Sequence, residues 1–243
     1  MEKIAIISDI HGNMPALETV LHDIRGRGIT RIFCLGDLVG KGPDSDKAVD
    51  ICRRECEVVL RGNWDEKITT EKEWAVALWH QQKLGAGRLK YLAALPNTFD
   101  FHLSGKKVRL FHASQNGVHA RVGMNSPEEK HLAMFTNTDF TGNYLEPDVV
   151  GCADIHQAYL KHYYKKILFN TGSVGNPLDE QAASYVIMEG CYGDKSAGIF
   201  SINLIRVPYD TELAIRQARD AQMPDLADYE DELRTAVYRM FKK

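Results

Sequence analysis

Acidic, imidazole and amide side chains recur in this sequence at the ends of short apolar runs. The set comprises Asp9, His11, Asp37, Asn63, His112, Asp154 and His156. Carboxylate, imidazole and amide groups suit Mn, Fe or Zn and differ from a thiolate site. A single histidine after a strand usually has a structural role, and Gly36-Asp37 alone could be a turn. The whole ordered set, however, indicates a metal site.

The elements that must position these residues begin with an alternation of strands and helices. Apolar runs at residues 4–7, 31–35 and 58–60 predict strands, and amphipathic segments between them predict helices. This βαβαβ order implies a parallel sheet, in which the carboxyl ends of the strands lie at one edge. We therefore expect the loops after these strands to meet in space.

Beyond residues 71–95, which predict one or two helices, the pattern changes to strand pairs. The predicted strands are Phe99–Leu103, Val108–Phe111, Tyr159–Tyr163, Ile167–Phe169, Tyr185–Met188 and Ile199–Val207. A polar helical segment follows from Thr211 onward. The economical interpretation is one α/β domain with two sheets and helices outside them.

The composition excludes several classes of protein. The 243 residues carry 30 Lys and Arg against 33 Asp and Glu, so a net charge of −3 argues against binding of duplex nucleic acid. No apolar run approaches the roughly 18 residues that span a bilayer. The chain enters a predicted strand at once, and its five scattered cysteines include no CxxC pair. These features predict a cytoplasmic protein with reduced thiols and no membrane partner.

The order Asp-x-His, Gly-Asp, Gly-Asn-x-Asp, His and x-x-His resembles the calcineurin-like metallophosphoesterase family. The segments Ser8–Gly12, Leu35–Gly42, Asn170–Pro177 and Val207–Asp210 resemble a bacterial branch of small phosphoesterases. The resemblance implies a four-layer αββα sandwich with two mixed β-sheets. It also implies a catalytic domain over residues 1–210, with a helical cap at 71–95, and a helical extension at 211–243 packed on that domain.

The resemblance also implies a site with two metal ions and a role for each ligand. The ions would be Mn, Fe or Zn, and Mg is also possible. Asp9, His11 and His156 would hold the first ion, and Asp37 would bridge to the second. Asn63, His112 and Asp154 would complete the ligands of the second ion. Asp37, Asn63 and His112 are thus also the implied catalytic residues, and a hydroxide activated by the two ions would attack phosphorus.

Asp154 is the first departure from the family pattern. The family's last motif is Gly-His-x-His, whereas this sequence has Ala153-Asp154-Ile155-His156. An aspartate still binds Mn, Mg or Fe, but its extra negative charge favours a harder and less acidic ion. Either the site is a variant two-metal centre, which we expect, or the second metal site has decayed.

Trp64 is the second departure, because many family members carry a histidine there that protonates the leaving group. Without this histidine, the departure of an alkoxide leaving group would be slower by typically 10²–10⁴-fold. The departure of a nucleotide or pyrophosphate would be affected far less. Trp64 could stack on a base or fill a gap beside the helical cap. The candidate substrate-binding residues are Asn63, Trp64, Asp65 and Arg121.

Some members of the branch that the sequence resembles hydrolyse diadenosine tetraphosphate, and the missing histidine and Trp64 favour such a substrate. The resemblance therefore implies a metal-dependent hydrolase of a small nucleotide, most simply a dinucleoside polyphosphate such as diadenosine tetraphosphate. The alternatives are a general phosphodiesterase or phosphoprotein phosphatase, and a binding protein that retains the fold without catalysis. The glycine-rich segment Asn170–Gly175 could contact phosphate or close a turn. The histidines predicted to be solvated are His22, His80, His102, His131 and His162. The oligomeric state is left open.

Overall fold

The computed structural model describes residues 1–238, and helices and strands alternate through its first part. The strands are β1 (Glu2–Ile7), β2 (Arg31–Cys34), β3 (Val58–Val59), β4 (Thr98–Leu103), β5 (Lys106–Phe111), β6 (Val149–Cys152), β7 (Ala158–Tyr163), β8 (Lys166–Thr171), β9 (Ala183–Gly190) and β10 (Ser201–Val207). The helices are α1 (Met14–Gly26), α2 (Ser45–Glu55), α3 (Asn63–Thr70), α4 (Ala75–Ala93), α5 (Glu128–Ala133), α6 (Thr211–Asp220) and α7 (Leu226–Thr235).

The strands form two mixed sheets of five strands each. The first has the order β10-β9-β1-β2-β3, in which β1, β2 and β3 are parallel, β9 is antiparallel to β1, and β10 is antiparallel to β9. The second has the order β4-β5-β6-β8-β7, with β5, β6 and β8 parallel and antiparallel strands at both edges. The predicted α/β fold with two mixed sheets is confirmed.

The sheets pack face to face, and helices cover their outer faces. Ile4 and Ile6 of β1 lie in an apolar cluster with residues of the second sheet, whereas Ala5 and Ile7 face the helices. This alternation follows from the two-residue period of a strand. On the far side, α5 and the loops around it cover the second sheet. The result is the αββα sandwich.

The helical segment next to the site begins earlier than the predicted boundary at residue 71. Helix α3 starts at Asn63, because the Asp65 carboxylate accepts a hydrogen bond of 2.9 Å from the Gly62 N–H and caps the first turn. Helix α4 is interrupted at Gly85, whose φ of 66° is open to glycine without steric cost. The predicted segment 71–95 thus contains α4 with its interruption, whereas α3 was not predicted.

Helices α6 and α7 pack on the same body as the rest of the chain. Their apolar residues, including Ile215, Tyr229 and Leu233, form one cluster with Trp79 of α4. Of the predicted extension 211–243, residues 239–243 lie outside the described part. Within residues 1–238, no helix has the length and apolar character to span a membrane.

Two histidines predicted to be solvated are buried. His80 pairs through Nδ1 with the Ser45 hydroxyl at 2.9 Å, and burial lowers its pKa to about 4. His131 contacts the Tyr163 hydroxyl and the Gly123 carbonyl. Each imidazole therefore has a structural role, and the helical surface pattern in the sequence did not reveal the neighbouring polar groups.

Candidate metal centre

Carboxyl ends of strands from both sheets converge on one site. Asp9 and His11 lie between β1 and α1, Asp37 lies after β2, and Asn63 opens α3 after β3. The second sheet supplies His112 directly after β5 and the loop that carries Asp154 and His156 after β6. The structure therefore brings together all seven residues that the resemblance implied as ligands.

Backbone strain is concentrated in these loops. Asp9, His11, Asp37, Asp154 and His156 all have left-handed φ values, between 50° and 66°. Such conformations cost non-glycine residues about 1–3 kcal/mol each and persist where the surroundings enforce them. The loops aim these side chains inward at the expense of local stability, as is typical of a functional site.

Two overlapping groups of side chains have the spacing of a metal site. The ligand atoms of Asp9, His11 and His156 lie within 4.8 Å of one another, and so do those of Asp9, Asp37 and His112. Asp37 lies between the groups, with Oδ2 at 3.6 Å from His11 Nε2 and Oδ1 at 3.5 Å from His112 Nε2. This carboxylate therefore presents one oxygen to each half of the centre.

The hydrogen bonds of the three imidazoles fix which nitrogen faces the site. The Nδ1–H groups of His11, His112 and His156 donate to backbone carbonyls at 2.9, 2.9 and 2.5 Å. Since a carbonyl only accepts, each neutral ring presents the lone pair of Nε2 to the site. His11 Nε2 and His156 Nε2 are 3.2 Å apart, so two lone pairs face each other.

Two buried ligand atoms also have no hydrogen-bond partner within residues 1–238. They are Asp9 Oδ1 and His112 Nε2. An unpaired buried polar atom is costly, and facing lone pairs repel, but a cation between these atoms would satisfy both. The donor set therefore fits metal ions well.

The charges of the cluster are strongly coupled. Burial raises the pKa of Asp37 well above its usual range, with a further contribution from the Asp9 carboxylate. Burial opposes protonation of His112, but the Asp37, Asp9 and Asp154 carboxylates together raise its pKa to about 9. Without metal, protons therefore balance part of the negative charge.

The stabilisation of the protein by Mn²⁺ is expected to grow from about pH 6 to about pH 9, because metal must displace these protons. The pKa of His112 in the folded protein lies above its ordinary value of 6.5, so its stabilising contribution is complete below 6.5 and lost as pH rises to about 9. Thermal unfolding with Mn²⁺ and with a chelator measures the difference. A metal-induced shift in Tm that is independent of pH would contradict this account.

Asp154 is held by other side chains of the protein. Arg121 binds it through two hydrogen bonds of 2.8 Å, from Nε to Oδ2 and from Nη2 to Oδ1. Asn63 Nδ2 donates to the same Oδ1 at 2.6 Å. Asp154 Oδ1 lies 3.9 Å from His112 Nε2, at the edge of the centre. Arg121 thus balances the charge that the aspartate adds, and its own predicted contact with substrate remains a prediction.

Replacing Arg121 with glutamine is expected to strengthen binding of the second Mn²⁺ equivalent by about tenfold, since it frees the Asp154 carboxylate and removes a competing cation. Calorimetric titration of chelated protein measures this affinity without any assay of activity. Arg88→Gln, which removes a surface pair with Asp50, is the matched control. An unchanged second equivalent in Arg121→Gln would show that the pair does not oppose metal binding.

Asp65 was predicted to contact substrate, but the structure places it beneath the metal centre. Its buried carboxylate accepts hydrogen bonds from the N–H groups of Asp37, Leu38 and Gly62 at 2.8, 3.0 and 2.9 Å. A Cβ on Gly62 would lie 2.1 Å from Asp37 Oδ1, so only glycine permits this approach. Asp65 is therefore a positioning residue for the Asp37 loop, and the substrate-contact prediction is not supported.

The segment Asn170–Gly175 also supports a metal loop. The N–H groups of Val174 and Gly175 donate to the carbonyls of Ser8 and Asp9 at 3.0 and 2.9 Å. The Ser173 hydroxyl donates to the Asp9 carbonyl at 2.8 Å. These donors fix the strained Asp9 backbone, so the turn interpretation of this segment is favoured over phosphate binding.

A cavity of about 620 Å³ opens beside the metal centre. Asp37, Asn63, Asp154 and His156 line its floor, and Arg121 lines it as well. Such a volume is within the range of roughly 300–1,000 Å³ that is typical of small-molecule sites.

Two tryptophans, one on α3 and one just before α4, form an aromatic wall of this cavity. Trp64 and Trp74 both line it, with their ring centroids 5.4 Å apart. Trp64 also meets the His11 ring edge-on at 5.9 Å. Trp64 therefore packs against the centre and also faces the cavity, and its stacking on a base remains a prediction.

The fold and the site together define a metallophosphoesterase class of protein. Residues 2–191 match the calcineurin-like phosphoesterase superfamily domain. An uncharacterized protein of Methanocaldococcus jannaschii is 34% identical over 238 residues, covering 91% of this chain and 94% of its own. The chain therefore belongs to the calcineurin-like phosphoesterase superfamily, and the family prediction is confirmed.

Solved structures show the same fold over nearly the whole chain. A metallophosphoesterase from Sphaerobacter thermophilus matches with a TM-score of 0.75 and 24% identity, covering 97% of this chain and 99% of its own. A hypothetical protein from Pyrococcus horikoshii OT3 matches with a TM-score of 0.77 and 18% identity, covering 96% and 98%. At these identities the likeness establishes the architecture.

Proposed function

We propose that this protein is a phosphoesterase with two metal ions that hydrolyses a phosphoanhydride or phosphodiester bond of a small nucleotide. The observation that carries the proposal is the cluster of inward-facing imidazole lone pairs and buried carboxylate oxygens at the floor of a small-molecule cavity. A metal centre next to such a cavity can position a phosphoester and neutralise the charge that phosphoryl transfer develops.

Asp9, His11 and His156 would hold one ion, and Asp37, which faces both halves of the centre, would be shared with the second. The second ion would take His112 and the amide oxygen of Asn63, with Asp154 at its edge. When bound, such ions supply an activated water and neutralise charge on phosphate oxygens. The carbonyls that fix the imidazoles keep this donor set in place.

The leaving group favoured by this site is one that needs no proton from the protein. The position that could carry a histidine acid is occupied by Trp64, whose indole N–H is a poor proton donor. Nucleotides and pyrophosphates leave as stable anions, and a base can stack on the aromatic wall of Trp64 and Trp74. Dinucleoside polyphosphates such as diadenosine tetraphosphate satisfy both conditions, in keeping with the bacterial branch that the sequence resembles.

A comparison of substrates tests this assignment. With Mn²⁺ present, we expect diadenosine tetraphosphate to give a higher kcat/KM than an aryl phosphate monoester or a bis-aryl phosphodiester. A preference for the bis-aryl diester would support a general phosphodiesterase. A preference for the monoester or for a phosphopeptide would support a phosphoprotein phosphatase, and both outcomes would contradict the proposed substrate.

Replacing Trp64 with histidine is expected to raise the rate with an alkyl phosphate, relative to diadenosine tetraphosphate, by about 10²-fold, because it restores an acid for a poor leaving group. Trp64→Phe keeps an aromatic ring without an acid and is the control. Steady-state kinetics of both variants with both substrates measure the ratio. An equal ratio in Trp64→His and Trp64→Phe would contradict the proposal that the site lacks an acid for poor leaving groups.

The ion pair of Arg121 with Asp154 favours a second candidate, a binding protein that keeps the fold without catalysis. In that case the second metal position would be satisfied by the arginine cation. Elemental analysis after Mn²⁺ supplementation separates the two candidates, since this binding protein would hold no more than about one ion per chain and the two-metal phosphoesterase about two.

A further inference from the structure

The segment after helix α7 forms part of the cavity wall. Ala236, Val237 and Tyr238 line the cavity together with Asp225, which precedes the helix. Ala236 has a left-handed φ of 52°, which ends α7 and turns the chain toward the metal centre. Residues separated from Asp37 by almost two hundred positions therefore share its cavity.

A buried ion pair holds this segment to the metal loops. Lys41 Nζ lies 2.8 Å from Glu232 Oε2 of α7, and their side chains are only 7% and 0% exposed. The same Nζ donates to Asn176 Oδ1 at 2.6 Å. The Asn176 carbonyl accepts the 2.5 Å hydrogen bond from His156 Nδ1. The chain of contacts from α7 thus ends on a residue of the metal centre.

Helix α7 is also supported from outside the cavity. Arg219 of α6 pairs with Glu230 at 2.6 Å, and Arg234 pairs with Glu212 at 2.9 Å. These pairs and the apolar cluster around Tyr229 and Leu233 fix the two helices to each other. The wall at residues 236–238 therefore rests on a packed support.

We propose that residues 236–238, held by the Lys41–Glu232 pair, determine specificity by closing the cavity to phosphoesters carried on bulky chains. The inference rests on the proposed function and refines its substrate class to small phosphoesters with a flat leaving group. The aromatic wall of Trp64 and Trp74 accommodates the flat group. The wall formed by residues 236–238, the C-terminal wall, excludes an attached peptide or polynucleotide.

Two substrates with the same kind of leaving group test the wall. p-Nitrophenyl phosphate and a phosphotyrosine peptide both release a phenolate, but only the peptide is bulky. We expect Val237→Gly and Tyr238→Ala to raise the ratio of kcat/KM for the peptide to that for the small ester on the order of tenfold. Glu232→Gln should act in the same direction. Glu18→Gln, at an exposed position of α1 away from the wall and its support, should leave the ratio unchanged.

Two readouts that do not depend on hydrolysis accompany the kinetics. Acrylamide should quench the fluorescence of Trp64 and Trp74 more strongly in Val237→Gly and Tyr238→Ala than in the parent protein. Phosphonate analogues of the two substrates, titrated by the same fluorescence, should show the same rise in relative affinity for the peptide. Val237 is 40% exposed, so its replacement tests the wall even if Glu232→Gln does not fold.

The outcomes separate the wall from the proposed function. An unchanged ratio for both substrates and phosphonates in Val237→Gly and Tyr238→Ala would overturn the role of the wall. Unchanged quenching would show that residues 236–238 do not close the cavity. Absence of hydrolysis of diadenosine tetraphosphate as well as of both monoesters in every protein would instead overturn the proposed function, and the phosphonate ratio would then test the wall on its own.

Discussion

Replacement of Asp37 by asparagine is expected to lower kcat for any phosphoester that the protein hydrolyses by about 10³-fold or more. Asp37 places one oxygen 3.6 Å from His11 Nε2 and the other 3.5 Å from His112 Nε2. An asparagine would retain one oxygen and would direct an N–H₂ group at the other imidazole. The link between the two halves of the centre would be lost, and kinetics under saturating Mn²⁺ would measure the effect.

The control for this substitution is Asp50→Asn, which alters an exposed pair with Arg88. It changes the same functional groups away from the site and should leave kcat unchanged. Metal content gives a second readout, because Asp37→Asn should retain about one Mn²⁺ per chain in place of about two. Full activity of Asp37→Asn would contradict a mechanism in which this carboxylate joins two ions.

Replacement of Asp65 by alanine is expected to destabilise the fold by about 3–5 kcal/mol, because it leaves three buried N–H groups without an acceptor. These groups belong to Asp37, Leu38 and Gly62. The same change frees the Asp37 loop, so activity should fall even where the variant is folded. Denaturant titration measures the free energy of unfolding.

Two variants give the Asp65 prediction its controls. Asp65→Asn retains one acceptor oxygen and should lose less stability than Asp65→Ala. Asp139→Ala alters an exposed aspartate and should change stability by less than about 0.5 kcal/mol. If Asp65→Ala unfolds with the same free energy as the parent protein, the carboxylate does not hold the Asp37 loop.

The parts of the site that the sequence predicted follow from one topological rule. Polar residues after parallel strands must meet at the carboxyl edge of a sheet, and Asp9, Asp37 and His112 do so. The rule needs only apolar runs and the residues that follow them. The fold class followed from the same alternation, because strand and helix periods are visible locally.

The role of Asp65 could have been predicted from the sequence but was not. An acidic residue three positions after Gly62 is the pattern of a helix N-terminal cap, which would have placed α3 at Asn63. Its position two residues after Asn63 in the Gly-Asn-x-Asp motif instead suggested a contact with substrate. A local capping pattern was therefore interpreted as part of the site.

The C-terminal wall could not be predicted from local patterns. Lys41 and Glu232 are far apart in sequence, and neither stands in a motif that indicates its partner. Long-range pairing of single charges depends on the packing of α7 against the metal loops. Arg121 and Asp154 present the same problem, because only the structure shows that the arginine balances the unusual carboxylate.

Titration of metal content against rate tests the central claim most directly. The protein is stripped with a chelator, Mn²⁺ is added in steps, and the bound metal per chain is measured together with hydrolysis of diadenosine tetraphosphate. We expect no hydrolysis in the stripped protein. The rate should rise as the bound metal increases from about one to about two ions per chain. Undiminished hydrolysis in the stripped protein, or a full rate with one equivalent, would contradict a two-metal phosphoesterase.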